Sequence, residues 1–168
     1  LIDEDKMRAI QEATILLDQH VATGGSASNT ISGLARLGVD VGFIGKVGSD
    51  SIGDFFKVDS FENGVLTYLL GSQLPSGRCH VLISPDSERT MCTYLGAASD
   101  LRAADLSADM LRDFNLLHIE GYMVESHELM LRAAELAHGA GMQVSLDLAS
   151  YNVVEAHKDF LRDYAKRY

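Results

Sequence analysis

Residues 24–50 read GGSASNTISGLARLGVDVGFIGKVGSD, a glycine-rich turn followed by two apolar patterns of different period. The spacing of the apolar residues predicts a helix over 27–37, and Gly38 is typical of the left-handed residue that follows a helix. The apolar run at 41–47 is that of a short buried strand. A turn, a helix and a buried strand in this order favour a fold in which helices and strands alternate.

The alternation continues on both sides of this segment. Apolar spacing and capping residues predict further helices over 3–19, 49–63, 106–114, 126–140 and 152–168, and buried strands over 115–119 and 142–148. Either Ser49 or Asp50 can cap the helix at 49–63. Together with the strand at 41–47, these strands alternate with helices in the way that is typical of a parallel sheet covered by helices. The sequence therefore predicts an α/β fold.

The middle third of the chain has a different character. Three β-rich segments are separated by turn residues and lie at 65–71, 77–84 and 88–95. The turn Pro85–Glu88 is a hairpin signal between the last two of them, and an approximate register about it places Cys79 near Thr93. We expect an antiparallel insert that covers the parallel core and does not belong to it.

Charge and composition narrow the class of partner. The chain has 168 residues, with 14 Lys and Arg against 24 Asp and Glu, a formal net charge of −10 that disfavours nucleic acid. No apolar run reaches the roughly 18 residues that a membrane helix needs. Cys79 and Cys92 make neither a disulfide framework nor a metal set, which favours a reducing, cytoplasmic compartment. We therefore expect a cytoplasmic domain whose partners are small molecules.

The turn before the first predicted strand is the leading candidate for a binding site. Gly24 and Gly25 let the backbone approach a ligand and present N–H groups at the positive end of a helix. Asn29 offers both a donor and an acceptor, which suits a pair of vicinal hydroxyls. The alternative is a tight turn and helix cap without a ligand. The spacing GxGxxG is absent, so a nicotinamide-dependent enzyme is not supported.

Two acidic residues stand at predicted strand ends. Glu120 directly follows the apolar run at 116–119, which places its carboxylate at the carboxyl end of a parallel strand, where α/β folds bind ligands. Asp147 lies near the end of the next strand. Either it assists a metal or phosphate region indirectly, or it only accepts hydrogen bonds from loop amides.

Several motifs together resemble a known family. The ordered matches are Gly24–Asn29, Leu34–Gly38, Gly45–Asp50 with Gly53 and Phe55, Pro75–Gly77, Ser84–Thr90 and Tyr94–Ala98. They are similar to the N-terminal part of the PfkB (ribokinase-like) carbohydrate and nucleoside kinases. Ile31 departs from the small residue that is usual in the sugar kinases, and the sequence there is similar to the adenosine kinases.

The resemblance implies a fold and a reaction. The fold is a Rossmann-like αβα sandwich with a small β-sheet lid, to which 65–95 would mostly contribute the lid and adjoining antiparallel strands. The reaction transfers the γ-phosphoryl group of ATP, with Mg²⁺, to a primary hydroxyl of a small sugar or nucleoside. The exposed strands of the lid would also allow a homodimer formed lid to lid.

The resemblance also assigns substrate-binding residues one at a time. Gly24, Gly25 and Asn29 match the turn that holds the sugar hydroxyls, and Glu120 matches an acid that accepts hydrogen bonds from them. Cys79 matches a substrate-facing position on a lid-side strand, and Thr93, with Met91 and Leu95, resembles the wall around the sugar or base; we expect Cys79 and Thr93 to bind the substrate as well. The alternatives are a small buried hydrophobe for Cys79 and ordinary strand core for Thr93. Glu120 favours a sugar, whereas the turn favours a nucleoside.

Parts of the family pattern are missing from these residues. The Gly-Ala-Gly-Asp motif that carries the family's catalytic base, the Asn-x-x-Glu motif that organises Mg²⁺ and the first strand do not occur. We therefore expect residues 1–168 to be an incomplete kinase domain, with ATP and Mg²⁺ bound mainly elsewhere and with no catalytic residue or metal ligand here. The isolated segment is expected to be inactive. The alternative is a non-catalytic module that binds a sugar or nucleoside.

Overall fold

The computed structural model describes residues 1–168, which form six α-helices and six strands. The α-helices are α1 (Glu4–Ala13), α2 (Ser26–Arg36), α3 (Ser51–Glu62), α4 (His127–Gly139), α5 (Tyr151–Ala156) and α6 (Lys158–Arg167). The strands are β1 (Gly42–Gly48), β2 (Leu66–Ser72), β3 (Arg78–Ile83), β4 (Arg89–Tyr94), β5 (Leu116–Ile119) and β6 (Gln143–Leu146). Short 3₁₀ turns occur at Gly96–Asp100, Ala103–Asp105, Ala108–Met110 and Gly121–Glu125.

The strands form three two-stranded sheets. β1 pairs with β2 and β5 pairs with β6, both in parallel, whereas β3 and β4 form an antiparallel hairpin. Helix α3 connects β1 to β2 and helix α4 connects β5 to β6, as a parallel pair requires. The prediction of an α/β fold is confirmed.

The pairing of the strand at 66–72 differs from the sequence prediction. This strand was expected to belong, with the rest of 65–95, to the lid and its antiparallel strands, but Gly42 pairs with Leu66 and Gly48 with Ser72 in a parallel register. The antiparallel pairing is confined to residues 78–94. An apolar run has the same pattern in either sheet, and only the crossover through α3 makes this one parallel.

The register of the hairpin is as predicted. Cys79 lies opposite Thr93 on β4, and the Thr93 hydroxyl donates to the Cys79 sulfur at 3.3 Å. Residues 84–88 form the turn between the two strands, where the Ser87 N–H donates to the Ser84 carbonyl at 2.8 Å. We call this hairpin the lid; that it covers a substrate stays a prediction.

Three predicted helices differ from the structure. The first ends at Ala13 rather than at 19, because the Thr14 hydroxyl donates to the Ile10 carbonyl (2.8 Å) and the Gln19 side chain donates to the Thr14 carbonyl (2.7 Å). The segment 106–114 contains only a 3₁₀ turn. The last helix is divided at His157, whose backbone leaves the helical region (φ −121°, ψ 23°).

The two parallel pairs leave a gap between them. The inner edges of β1 and β5 have no partner strand, and both line an apolar cavity of about 210 Å³. Residues 43–46 and 117–120 line this inter-sheet cavity, together with apolar side chains of α4. Consecutive residues of a strand point to opposite faces, so a cavity lined by four in a row faces the edge of the strand.

The best-packed part of the core lies where α4 and α6 cover β5. Met130, Ala134, Leu161 and Tyr164 are almost fully buried there. The Tyr164 hydroxyl donates to the Met130 carbonyl at 3.0 Å, and burial raises the pKa of this phenol. None of the helices combines the length and apolar character that crossing a bilayer requires.

Replacing Tyr164 with phenylalanine is expected to lower the free energy of unfolding by about 1–2 kcal/mol, because a buried carbonyl loses its side-chain donor. Urea titration of the wild type and the variant measures the difference. Tyr151→Phe is the matched control, since Tyr151 is 79% exposed, and it should change the free energy by less than about 0.5 kcal/mol. Equal effects of the two substitutions would show that the hydrogen bond from Tyr164 to the Met130 carbonyl does not stabilise the protein.

Candidate functional site

The paired-glycine turn lies open at the start of α2. Gly24 and Gly25 are exposed, and a Cβ added to Gly24 would meet no atom within 4 Å. Gly25 has a φ of 108°, a conformation that L side chains rarely adopt, and no side chain caps the helix. The N–H groups of the first helical turn are therefore available to a ligand.

Asn29 lies one turn into α2 and lines a cavity of about 400 Å³ between α2 and α3. Thr23, Arg36 and Asp59 line the same cavity. The Thr23 hydroxyl donates to the Asp59 carboxylate at 2.6 Å, which fixes the segment before the glycines against α3. The turn and Asn29 thus adjoin an open, polar hollow.

Glu120 follows the last residue of β5 and lines the inter-sheet cavity. Its Oε1 atom is buried and has no hydrogen-bond partner. Burial raises the pKa of the Glu120 carboxyl, the neighbouring Ser26 hydroxyl lowers it, and the adjacent Asp147 carboxylate raises it again, so that the net shift is upward. Ala27, the second residue of α2, lines the same cavity, so the start of α2 and the paired-glycine turn lie near Glu120.

Asp147 directly follows the neighbouring strand β6, as Glu120 directly follows β5. Its backbone N–H donates to the Ile119 carbonyl at 3.0 Å, and its Oδ1 accepts a hydrogen bond from the Ala149 N–H at 2.6 Å. The sequence interpretation as an acid bonded to loop amides is correct, but it missed the contact with Glu120. The signal was available, since adjacent parallel strands bring their carboxyl ends to one edge.

Cys79 and Thr93 lie on one face of the lid. Cys79 is exposed, Thr93 is half-buried, and the same face continues with Val81 and Met91, which are 46% and 67% exposed. These residues line neither the inter-sheet cavity nor the cavity beside Asn29. The structure therefore groups the turn with Glu120, Asn29 with the polar hollow, and Cys79 with Thr93 on the lid.

The base of the lid is tied to the parallel core by Asp50. Its carboxylate accepts hydrogen bonds from the Gly53 N–H (2.8 Å), the Ser76 hydroxyl (2.6 Å) and the Ser76 N–H (2.8 Å), and Arg78 lies 3.4 Å away. Burial alone would raise the pKa of Asp50, but these donors outweigh it and hold the pKa below its usual range. The sequence predicted only the helix cap.

Lys46 is the cation of the inter-sheet cavity, and it is already paired. Its ammonium group donates to Asp105 Oδ2 at 2.7 Å and to the Asp100 carbonyl at 2.9 Å. These bonds hold residues 96–105 against β1. No group of three or more His, Cys, Asp or Glu side chains converges on a point where a metal ion could bind.

Comparison with known proteins agrees with this arrangement. Mouse ketohexokinase is 28% identical over 123 residues, which are 71% of this chain and 41% of that protein. The 5-dehydro-2-deoxygluconokinase of Clostridium perfringens is 31% identical over 134 residues, which are 74% of this chain and 39% of the relative. The crystal structure of adenosine kinase from Sinorhizobium meliloti superimposes with a TM-score of 0.81 and 30% identity, over 96% of this chain and 50% of that one.

Parallel strand pairs covered by helices, with a hairpin lid and an acid at a strand end, define a ribokinase-like partial domain. Residues 6–166 match the family described as pfkB family carbohydrate kinase, and the chain belongs to this family. The chain spans half or less of the length of the relatives above.

Proposed function

We propose that the full-length protein transfers a phosphoryl group from ATP to a primary hydroxyl of a small sugar or nucleoside, and that residues 1–168 bind the acceptor. The proposal rests on the Glu120 carboxylate at the carboxyl end of β5, because its Oε1 atom is buried and has no hydrogen-bond partner. Ala27 of α2 lines the same cavity, which brings the carboxylate near an open turn whose N–H groups no side chain caps. Such a pair of acceptor and donors suits hydroxyl groups.

The roles of the other residues follow from their positions. Gly24, Gly25 and Asn29 would hold the sugar hydroxyls from α2, while Cys79 and Thr93 would close the site from the lid. The relatives act on different acceptors by name, a dehydro-deoxygluconate, a ketohexose and adenosine. The acceptor of this protein is therefore proposed only as a sugar or nucleoside.

ATP and Mg²⁺ would be held mainly by polypeptide outside residues 1–168. Residues 1–168 contain no cluster of three or more His, Cys, Asp or Glu side chains that could hold a metal ion. We expect residues 1–168 alone to show no phosphoryl transfer in an ATP-coupled assay. Activity above background would contradict this division of labour.

The gap between β1 and β5 supports the proposal that the domain is completed from outside these residues. Both inner strand edges are unpaired and face one apolar cavity. Buried backbone groups without partners are costly, so a further strand inserted there would satisfy them. The fold of 1–168 would then be one half of a continuous sheet.

Exposed apolar side chains on the face of the lid that also carries Cys79 and Thr93 support a proposal about assembly. Val81, Ile83 and Met91 are exposed on the hairpin, and an apolar face of this kind suits a lid-to-lid homodimer. A cytoplasmic location agrees with the two free cysteines.

The second candidate function is a non-catalytic sugar- or nucleoside-binding module, which the same acceptor site would serve.

A thermal-shift screen of the full-length protein against nucleosides and sugars, with and without ATP and Mg²⁺, tests the proposal. A kinase should be stabilised by one acceptor and convert it in the presence of ATP. A binding module should be stabilised without turnover. Stabilisation by none of these compounds would overturn both functions.

Asn29→Ala in the full-length enzyme should lower kcat/KM for the acceptor by a factor of about 30, which corresponds to about 2 kcal/mol. The loss should come mainly through KM, because hydroxyl groups of the acceptor lose their partners. Initial rates over a range of acceptor concentrations measure it. Asn152→Ala, on the exposed surface of α5, is the matched control and should leave kcat/KM unchanged. Unchanged kinetics for Asn29→Ala would remove Asn29 from the site.

A further inference from the structure

Two carboxyl groups meet at the edge of the β5–β6 pair. Ile119 and Leu146 are the last paired residues of the two strands, and the Asp147 N–H donates to the Ile119 carbonyl one step further on. Glu120 and Asp147 therefore begin neighbouring loops at the same edge. Their side chains lie close enough for Asp147 to influence the ionisation of Glu120.

Asp147 is held in place by its own loop. Its Oδ1 accepts from the Ala149 N–H at 2.6 Å, and Ala149 adopts a left-handed conformation (φ 60°) that this bond supports. On the other side, a Cβ on Gly121 would come within 2.4 Å of the Asp147 carbonyl oxygen. The close packing of the two loops keeps the two carboxyl groups together.

No Lys or Arg side chain that lines this cavity is free to neutralise the pair. Lys46, the cation that lines the same cavity as Glu120, is bound to Asp105 at 2.7 Å. The His118 ring lies 3.1 Å from the Ser145 hydroxyl. Ser26 contributes a neutral hydroxyl beside Glu120. The pair therefore presents acceptor oxygens and negative charge to whatever binds at this edge.

We infer that Asp147 is a positioning residue that, together with Glu120, selects a neutral polyol as the acceptor and disfavours an acceptor with a carboxylate or phosphate group near the bound hydroxyls. This inference rests on the proposed function, because it takes the Glu120 edge as the acceptor site. It goes further by dividing the acceptors of that site into two chemical classes. A hydroxyl donates to the unpartnered Glu120 oxygen, whereas an anion there meets like charge.

Asp147 acts through Glu120 in this arrangement. A carboxylate beside Glu120 offers it no donor, so the buried and unpartnered Oε1 atom is left for a donor on the ligand. Asp147 itself is exposed, so water screens part of its charge. We therefore expect a moderate preference and not an absolute exclusion.

The experiment uses the full-length protein and compares two matched acceptors. D-ribitol and D-ribonate share an open five-carbon chain and a primary hydroxyl, and they differ only at C1, which is a neutral hydroxymethyl group in one and a carboxylate in the other; adenosine is the second neutral acceptor. The measured quantity is the ratio of kcat/KM for the neutral acceptor to that for the aldonate. We expect a ratio of about ten or more in the wild type.

Asp147→Asn keeps an oxygen for the Ala149 N–H and removes the charge, and it should reduce the ratio to about three, through KM more than kcat. Asp147→Glu restores the charge and should recover much of the ratio, which a purely structural role would not predict. Asp159→Asn is the control, because Asp159 has a side chain that is 93% exposed, and it should leave the ratio unchanged. A ratio is independent of the fraction of correctly folded enzyme.

The outcomes separate the two proposals. Phosphorylation of the aldonate as efficiently as of the neutral acceptor, or a ratio that Asp147→Asn leaves unchanged, overturns the inference and leaves the kinase function standing. If no compound is phosphorylated, calorimetric titration with the same compounds decides. Binding of the neutral compounds alone supports the inference in a binding module, and binding of none overturns the proposed function and the inference with it.

Discussion

Asp50→Ala is expected to lower the free energy of unfolding by about 3 kcal/mol, because one carboxylate joins α3 to the base of the lid. The substitution removes the cap of α3 at Gly53 and leaves the buried Ser76 hydroxyl without its acceptor. A lost cap costs about 1 kcal/mol, and hydrogen bonds to a charged group cost more. The side chain is 28% exposed, which keeps the sum at the lower end of these ranges.

The same carboxylate makes stability depend on pH. Although burial opposes ionisation, the donors from Ser76 and Gly53, with Arg78, hold the folded pKa of Asp50 below its usual range. The contribution of Asp50 is therefore fully present above the unfolded pKa and is lost as the pH falls through the lower, folded pKa. Urea titrations between about pH 5 and pH 2 should show this loss in the wild type and a flatter dependence in Asp50→Ala.

Two further variants make the result specific. Asp50→Asn keeps one acceptor oxygen and should lose less stability than Asp50→Ala. Asp54→Ala removes a 74% exposed acid from the first turn of the same helix and should cost less than about 1 kcal/mol. If Asp54→Ala and Asp50→Ala are equally destabilising, the link between α3 and the lid is not what stabilises this region.

Gly121→Ala is expected to destabilise the protein by about 3 kcal/mol and to impair acceptor binding. The added Cβ would lie 2.4 Å from the Asp147 carbonyl oxygen, 2.7 Å from the Leu148 carbonyl carbon and 2.8 Å from the Ala149 nitrogen. All three are backbone atoms, so no side chain can move aside, and the loops after β5 and β6 must separate. Glu120 directly precedes this position and would move with its loop.

Urea titration and acceptor KM measure the two effects in the same full-length variant. Gly139→Ala is the matched control, because it adds the same methyl group at the end of α4, where a Cβ meets nothing within 4 Å. That control should be neutral or stabilising by up to about 1 kcal/mol. A Gly121→Ala protein with wild-type stability and KM would contradict the close packing of the two loops.

The elements predicted from sequence are those whose signals are local. Helix α2 and the strand after it were placed to within about one residue, and Gly38 ends the helix with a φ of 82° as its position indicated. The hairpin signal at 85–88 gave the correct pairing of Cys79 with Thr93. Each of these features depends on residues a few positions apart, so a pattern in a short window is sufficient.

The errors and omissions involve distant residues. Residues 66–72 read as a strand, but not as the parallel partner of β1. Asp50 shows the same contrast between local and distant contacts. As the cap of α3 it bonds to Gly53, three residues away, and as the link to the lid it bonds to Ser76, 26 residues away. The cap was predicted, and the link to the lid was not.

The sequence by itself determined the family, the α/β class, the open paired-glycine turn and the position of Glu120 at a strand end, because each is written in a contiguous motif. Only the tertiary structure decided that 66–72 joins the parallel core, that β1 and β5 face each other across an apolar gap, and that Asp147 stands beside Glu120. The physical reason is that strand pairing is set by hydrogen bonds between segments far apart in the chain. A single apolar run satisfies several such pairings equally well until the crossovers fix one.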